Sequence, residues 1–294
     1  MYLIFSSLPC TLLIFSIKIW RLSAIKNIYR LLHSLLGDMM EKEVTFREIE
    51  PFDCSCAMVV ISFPTTGLVG TLAAGYMVRS LKLKRIGTFS SDRFVPTAVI
   101  YEGVPSPPVR MFGAKRACAP DELCNEIVVI MSEIPLPLDM AKSTSDAILE
   151  WCKEKNINMI VALEGANVPL LPDQEPKVYA VGTTDKAKEL IKKYKIEELS
   201  EGMIGGVSGT LLYEGEETAR DVLCLLAEAN IQLPGAMGAA KLVEIIGRML
   251  PELKIDPKPL FEEAKEMEEQ IKAALKGAQP VTPEDRDVPP GIYG

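Results

Sequence analysis

The chain has 294 residues, 48% of them hydrophobic and 24% charged, a globular composition that suffices for one sizeable core with appendages. Its formal charge is −8, and the first forty residues hold four basic side chains (Lys18, Arg21, Lys26, Arg30) against the single acid Asp38, so the remainder is more acidic still. Such a body repels a phosphate backbone, and with no basic stripe interleaved with aromatics to offset that, the composition argues against nucleic acid as a partner.

Residues 2 to 17, YLIFSSLPCTLLIFSI, form an apolar run. It is short for a membrane span of about 20 residues. Pro9 interrupts it, no basic segment precedes it and no small-residue cleavage site follows, so it is a poor signal peptide as well. Met39 and Met40 then stand before a charged opening, EKEVTFREIE. The expectation is that translation starts at one of them, that residues 1–39 are an extension outside the fold, and that the folded domain covers residues 40–279. If the extension is translated, its alternative role is an N-terminal membrane anchor. The sole histidine, His33, falls in this stretch. Without an imidazole from Met40 onward, the domain lacks the usual Ser-His-Asp and Cys-His arrangements, His-ligated catalytic zinc and the commonest general base near neutral pH.

From Ala57 short apolar runs alternate with longer amphipathic ones, the pattern of a parallel sheet covered by helices on both faces. Strands are predicted at 57–63, 97–101, 109–112, 127–131, 158–163, 178–181 and 221–227. Helices are predicted at 67–81, at 139–155 with acids first and lysines last, and at 185–194 capped by Thr183 or Thr184. A further helix carries Pro234 in its first turn and runs to Leu250, where Pro251 stops it. The proline-rich stretches VPSPP (104–108) and PLLPDQEP (169–176) read as long surface loops. The last helix, 260–275, aligns Leu260, Ala264, Met267, Ile271 and Ala274 in a narrow apolar seam beside an acidic face. Beyond Gly277 the composition turns to prolines and charges, which predicts a flexible tail over residues 280–294. The fold class is therefore α/β: a mostly parallel sheet in a three-layer αβα arrangement, with a C-terminal helix and a flexible tail.

Seven cysteines form no paired zinc knuckles. Cys54 and Cys56 are separated by one residue, Cys118 and Cys124 by five, and Cys152 and Cys224 stand alone in apolar settings, so buried thiols are expected; a Cys118–Cys124 disulfide is the alternative. No metal is expected from this spacing.

Three constellations bear on ligand chemistry. The turn Pro64-Thr65-Thr66-Gly67-Leu68-Val69-Gly70 joins a strand to a helix N-terminus, where free amides can hold an anion. It lacks both the third glycine of a dinucleotide fingerprint and the Gly-Lys-Ser/Thr of a P-loop, which favours backbone turning and close packing. The run Gly205-Gly206-Val207-Ser208-Gly209-Thr210 resembles a nucleophile elbow, but Thr210 stands in place of the last glycine and no histidine can activate Ser208. A turn and a helix start are the better reading. Glu133, Glu164 and Glu228 fall near the carboxyl ends of predicted strands, the edge where open α/β sheets bind ligands. The competing role for each is a helix cap or an ion pair. The candidate ligand-binding residues are thus Thr65, Thr66, Gly67, Gly70, Glu133, Glu164 and Glu228, with no catalytic residue or cofactor assigned.

The segments SFPTTGLVGTLAAGYMVRSLKLKRIGTF, FVPTAVIYEGVPSPPVRMF, MSEIPLP, GGVSGTLLYEGEE and LCLLAEANIQLPGAMGAAKLVEII occur in this order between Val44 and Leu275. In that order they resemble the archaeal proteasome assembly chaperone family. The resemblance implies a non-enzymatic α/β protein of the cytoplasm that acts through protein contacts, associating with itself or with a paralogue. The terminal Ile292-Tyr293-Gly294 is similar to the hydrophobic-Tyr-X tails with which proteasome activators enter pockets between α-subunits of the core particle. It implies docking by terminal carboxylate, tyrosine ring and hydrophobic side chain. The alternatives are a nucleotide- or small-ligand-binding enzyme using the 65–70 turn and the glutamates, or an oligomeric scaffold whose tail is sequestered.

Overall fold

The computed structural model describes residues 43–51, 57–101, 103–114, 126–157, 159–168, 174–230 and 234–277. The expectations for residues 1–39, for Cys10, Cys54, Cys56, Cys118 and Cys124, for part of the 169–176 loop and for the tail with Ile292, Tyr293 and Gly294 lie outside the described residues.

In chain order the elements are β1 (Thr45–Glu48), β2 (Met58–Ser62), α1 (Val69–Ser80), β3 (Lys84–Ser90), β4 (Val99–Tyr101), β5 (Val104–Ser106), β6 (Val109–Gly113) and β7 (Ile127–Met131). There follow α2 (Ala141–Glu154), β8 (Met159–Asn167), β9 (Val178–Gly182), α3 (Asp185–Tyr194), β10 (Glu197–Glu198), α4 (Gly206–Glu217), β11 (Asp221–Ala229), α5 (Ala236–Met249) and α6 (Lys258–Gly277). Nine strands share one sheet in the order β1-β3-β6-β7-β2-β8-β11-β9-β10, and β4 with β5 forms a separate hairpin. The four central strands β7, β2, β8 and β11 run parallel. Antiparallel pairings extend the sheet through β6, β3 and β1 on one flank and through β9 on the other.

The central strands are continuous Val, Ile, Leu and Met runs because both their faces are covered. Period two sends alternate residues to opposite cores. Val60, Phe112, Val129, Val161 and Leu223 pack with α1 and α5, whereas Val59, Met111, Ile130, Ile160 and Val222 pack with α2 and α4. The result is the three-layer α/β arrangement expected from the alternation of runs. Helix α6 packs on α5, burying Leu260 and Ala264, the first two positions of the predicted seam. Cys152 and Cys224 are buried, as read, and are not in a disulfide.

Several local expectations are corrected. Strands β1 and β3 lie outside the set read from apolar runs: TFRE is a mostly exposed edge, and KRIGTFS opens on two charges and contains a glycine, so neither shows such a run. The 104–108 stretch is not all loop, since Val104–Ser106 pairs with Val99–Tyr101 in the hairpin, where Pro105 is tolerated at an edge. Helix α5 starts at Ala236, after the Gly235 cap, so Pro234 precedes the helix and does not occupy its first turn. Helix α3 is capped by Thr184, whose hydroxyl accepts from the Ala187 amide. Strands β8 and β11 pair over nine residues each, which carries them past the predicted ends and places Glu164 and Glu228 inside strands.

Candidate functional site at the carboxyl edge of the sheet

The chain leaves β2 toward β3, β6 and β7 on one side of the sheet and later returns as β8 on the other. This reversal leaves a crevice beyond the carboxyl ends of the parallel strands, the place where such sheets bind ligands. A cleft of about 620 Å³ occupies it, with Thr65 and Thr66 after β2, Glu164 on β8, Gly205 and Gly206 at the start of α4, and Leu226 on β11 in its walls.

Close backbone approach shapes the floor. After β2 the turn passes through Gly67 at φ +62°, and the Gly235 amide donates to the Gly67 carbonyl at 2.7 Å. A Cβ at Gly165 would lie 2.0 Å from the Thr66 carbonyl oxygen, and one at Gly70 would lie 2.2 Å from the Leu163 carbonyl oxygen. Only glycine at these two positions lets the turn and α1 rest on β8. The packing role assigned to this turn from the sequence therefore has its physical cause in Gly70.

Glu164, 5% exposed, is the chemical centre of the cleft. Its carboxyl accepts a hydrogen bond from the Ser208 hydroxyl, and burial pushes its pKa above the ordinary 4.5 while the Ser208 and Thr65 hydroxyls act to lower it. The Gly165 amide donates to the Thr65 hydroxyl at 3.3 Å, tying the turn to β8 beside the carboxyl. Ser208 stands in the first turn of α4, whose cap residue Gly205 supplies no side-chain bond. Leading amides of a helix have no intrahelical acceptor, so the α4 start adds donors to this wall. Nearby Cys224 is fully buried, and burial together with the Glu164 charge pushes its thiol well above the usual range. A thiol so held is inert.

The other predicted residues do not join this cluster. Glu133 forms an ion pair with Arg110. Glu228 accepts from the Lys177 amide and the Tyr179 hydroxyl, each at 2.9 Å, and so fastens the start of β9 to β11. Gly67 and Gly70 serve the backbone turn. The structure thus brings together Thr65, Thr66 and Glu164 and adds Ser208. The GGVSGT run was the one sequence signal for that serine, and its partner lies 44 residues earlier. Buried Arg110 was missed; an arginine inside the apolar strand VRMFG was its signal.

Chemically the cluster is a hydrogen-bonding site. Ser208 is hydrogen-bonded to a carboxyl and not to an imidazole, which is no charge relay. Among the described residues no three His, Cys, Asp or Glu side chains are grouped to hold a metal ion. On the rim Leu138 and Met203 are exposed at 86% and 101%.

Residues 59–275 match the PAC2 family. The chain belongs to that family. This PAC2 protein is 28% identical over 233 residues to the Methanocaldococcus jannaschii protein MJ0106, covering 79% of this chain and 91% of that one. The fold is similar to that of Pyrococcus furiosus PbaA, described as an archaeal homolog of proteasome-assembly chaperone. That match has a TM-score of 0.70 and 27% identity, and covers 80% of this chain and 93% of PbaA. It is similar too to Pyrococcus furiosus PbaB, described as an archaeal proteasome activator, with TM-score 0.68 and 25% identity over 80% of this chain and all of PbaB. Among the described residues no helix is long and apolar enough to cross a membrane.

Proposed function

We propose that this PAC2 protein is a non-enzymatic proteasome factor, an assembly chaperone or ATP-independent activator, that docks on the α-ring of the core particle through Ile292, Tyr293 and Gly294. The observation that carries the reading is the match in sequence and fold across nearly the whole length of PbaA and PbaB, a chaperone homologue and a proteasome activator. The tail chemistry agrees with it: the terminal carboxylate meets a lysine of an inter-subunit pocket, the tyrosine ring packs and the isoleucine fills the groove. Fifteen residues from Pro280 reach at most about 50 Å, long enough to act as a tether. The protein works in the cytoplasm, as an assembly with itself or with a paralogue.

The test is binding of the full-length chain to purified core particles beside a variant lacking the last three residues. Binding that disappears with the deletion is expected. Equal binding by both, or binding by neither, overturns tail docking.

A second reading, a small-ligand-binding protein, is favoured by the Glu164–Ser208 cleft. A small molecule that copurifies with the wild type and is lost on Ser208→Val would support it.

A further inference from the structure

The acidic body holds a concentrated patch of the opposite sign, far along the sheet from the Glu164 cleft. Beyond the C-terminal end of α1, a cavity of about 870 Å³ opens between that helix end, the start of β3 and the β4–β5 hairpin. Arg79 and Lys82 reach it from the helix end, Lys84 and Arg85 from β3, and Arg110 from β6. Among the described residues Glu50 is the acid on its wall, and Glu50 already has an interaction of its own. Among the described residues Arg79, Lys82, Lys84 and Arg85 make no ion pair.

The floor is rigid. Register sets Arg85 opposite Phe112 across the β3–β6 pair, and Arg110 lies two residues before Phe112 on the same face. The Arg110 guanidinium lies 5.4 Å from the Phe112 ring, and the Tyr101 ring meets Phe112 edge-on at 6.1 Å. Arg110 is 1% exposed; its Nη2 pairs with Glu133, and its Nε has no acceptor among the described residues. Among the described residues, five cations thus line one concavity backed by two aromatic rings, with a single carboxylate among them.

Four like charges without ion-pair partners among the described residues set up a positive field, which the concave wall focuses. An anion is drawn into that field, and one with several charges most strongly. Two guanidinium forks suit the paired oxygens of a phosphate, with the lysines as point charges beside them. The volume falls in the range of small-molecule sites. The net charge of −8 selects further: a long polyanion would extend beyond the cavity over a molecule of net negative charge, whereas a compact one meets only the cavity. We infer that this cavity binds a small multiply charged phosphate ligand, such as a nucleoside polyphosphate, with its phosphates on Arg79, Lys82, Lys84 and Arg85 and its non-phosphate part against Tyr101. The inference is independent of the proteasome reading.

Calorimetric titration of the full-length chain with inorganic phosphate, tripolyphosphate, ATP and an oligoglutamate peptide tests it, beside the variants Arg85→Glu and Lys82→Glu/Lys84→Glu. These side chains lie outside the apolar core, so an unchanged melting temperature shows that the variants fold. Single-site binding of tripolyphosphate and ATP, stronger than that of phosphate, weakened about tenfold or more in both variants and weakened by added salt, is expected. No binding of tripolyphosphate or ATP at millimolar concentration, or undiminished binding in the folded variants, overturns the inference. Tighter binding of oligoglutamate than of tripolyphosphate also overturns it, because the cavity is then a protein interface.

Discussion

Glu164 carries an ionisable carboxyl into a wall that leaves it only 5% exposed, and its two hydroxyl partners only partly compensate. Because its folded pKa lies above the unfolded value, the folded state binds the proton more firmly, and stability from this group falls as pH rises from below 4.5 through the raised value. Replacing it with a neutral isostere removes that loss. Glu164→Gln should therefore raise the melting temperature near pH 7, with the gain shrinking to nothing in acid below the unfolded value. A gain that is equal at both pH values, or a loss near pH 7, would show that the carboxyl is not the cause. At this scale the sequence was legible in residue type but not in pairing. Glu133 and Glu164 looked alike as strand-end acids, yet one meets a buried guanidinium and the other a serine hydroxyl.

At the scale of elements, α1 sits on β8 because Gly70 has no side chain at the crossing. Gly70→Ala forces a Cβ against the Leu163 carbonyl, which is backbone and cannot rotate aside. The expected cost is about 1–3 kcal/mol in urea unfolding, as for other overpacked contacts. An unchanged midpoint would mean that the helix shifts freely along the strand. The central strands and the long helices were readable from the chain because burial on both faces leaves unbroken apolar runs and amphipathic helices leave a period of 3.6. Edge strand β1 was not, since an edge tolerates exposed charge, and β3, paired with both β1 and β6, was not, since its two opening charges and its glycine break the apolar run. Phe46 on β1 still packs against Phe89 and Trp151, at ring distances of 5.0 and 5.9 Å, a contact between residues up to 105 positions apart that no local pattern displays.

For the whole molecule, the proposed docking depends on how many tails one assembly presents. Each tail alone makes a three-residue contact, and several tails on one self-associated particle would gain about 10²–10⁴-fold through effective concentration. A monovalent peptide ending in Ile-Tyr-Gly should therefore displace the full-length protein from core particles only in large molar excess. Displacement at equal concentration would mean a single engaged tail. The cationic cavity is also a whole-molecule property, since its charges come from the end of one helix and from two strands, and the acidic composition conceals it.

The sequence by itself determined the buried strands and their helices, the glycine turn after β2 and the want of an imidazole from Met40 onward, and its last three residues carry the pattern on which the proposed docking rests. These are local properties, set by side-chain size, polarity and period. The tertiary structure alone decided which strands flank the parallel core, that Ser208 and Thr65 meet Glu164 while Glu133 meets Arg110, and that residues 79 to 110 converge on one cavity. Such pairings are fixed by strand register and by crossovers between distant segments, and energies of that kind exist only once the chain has closed on itself.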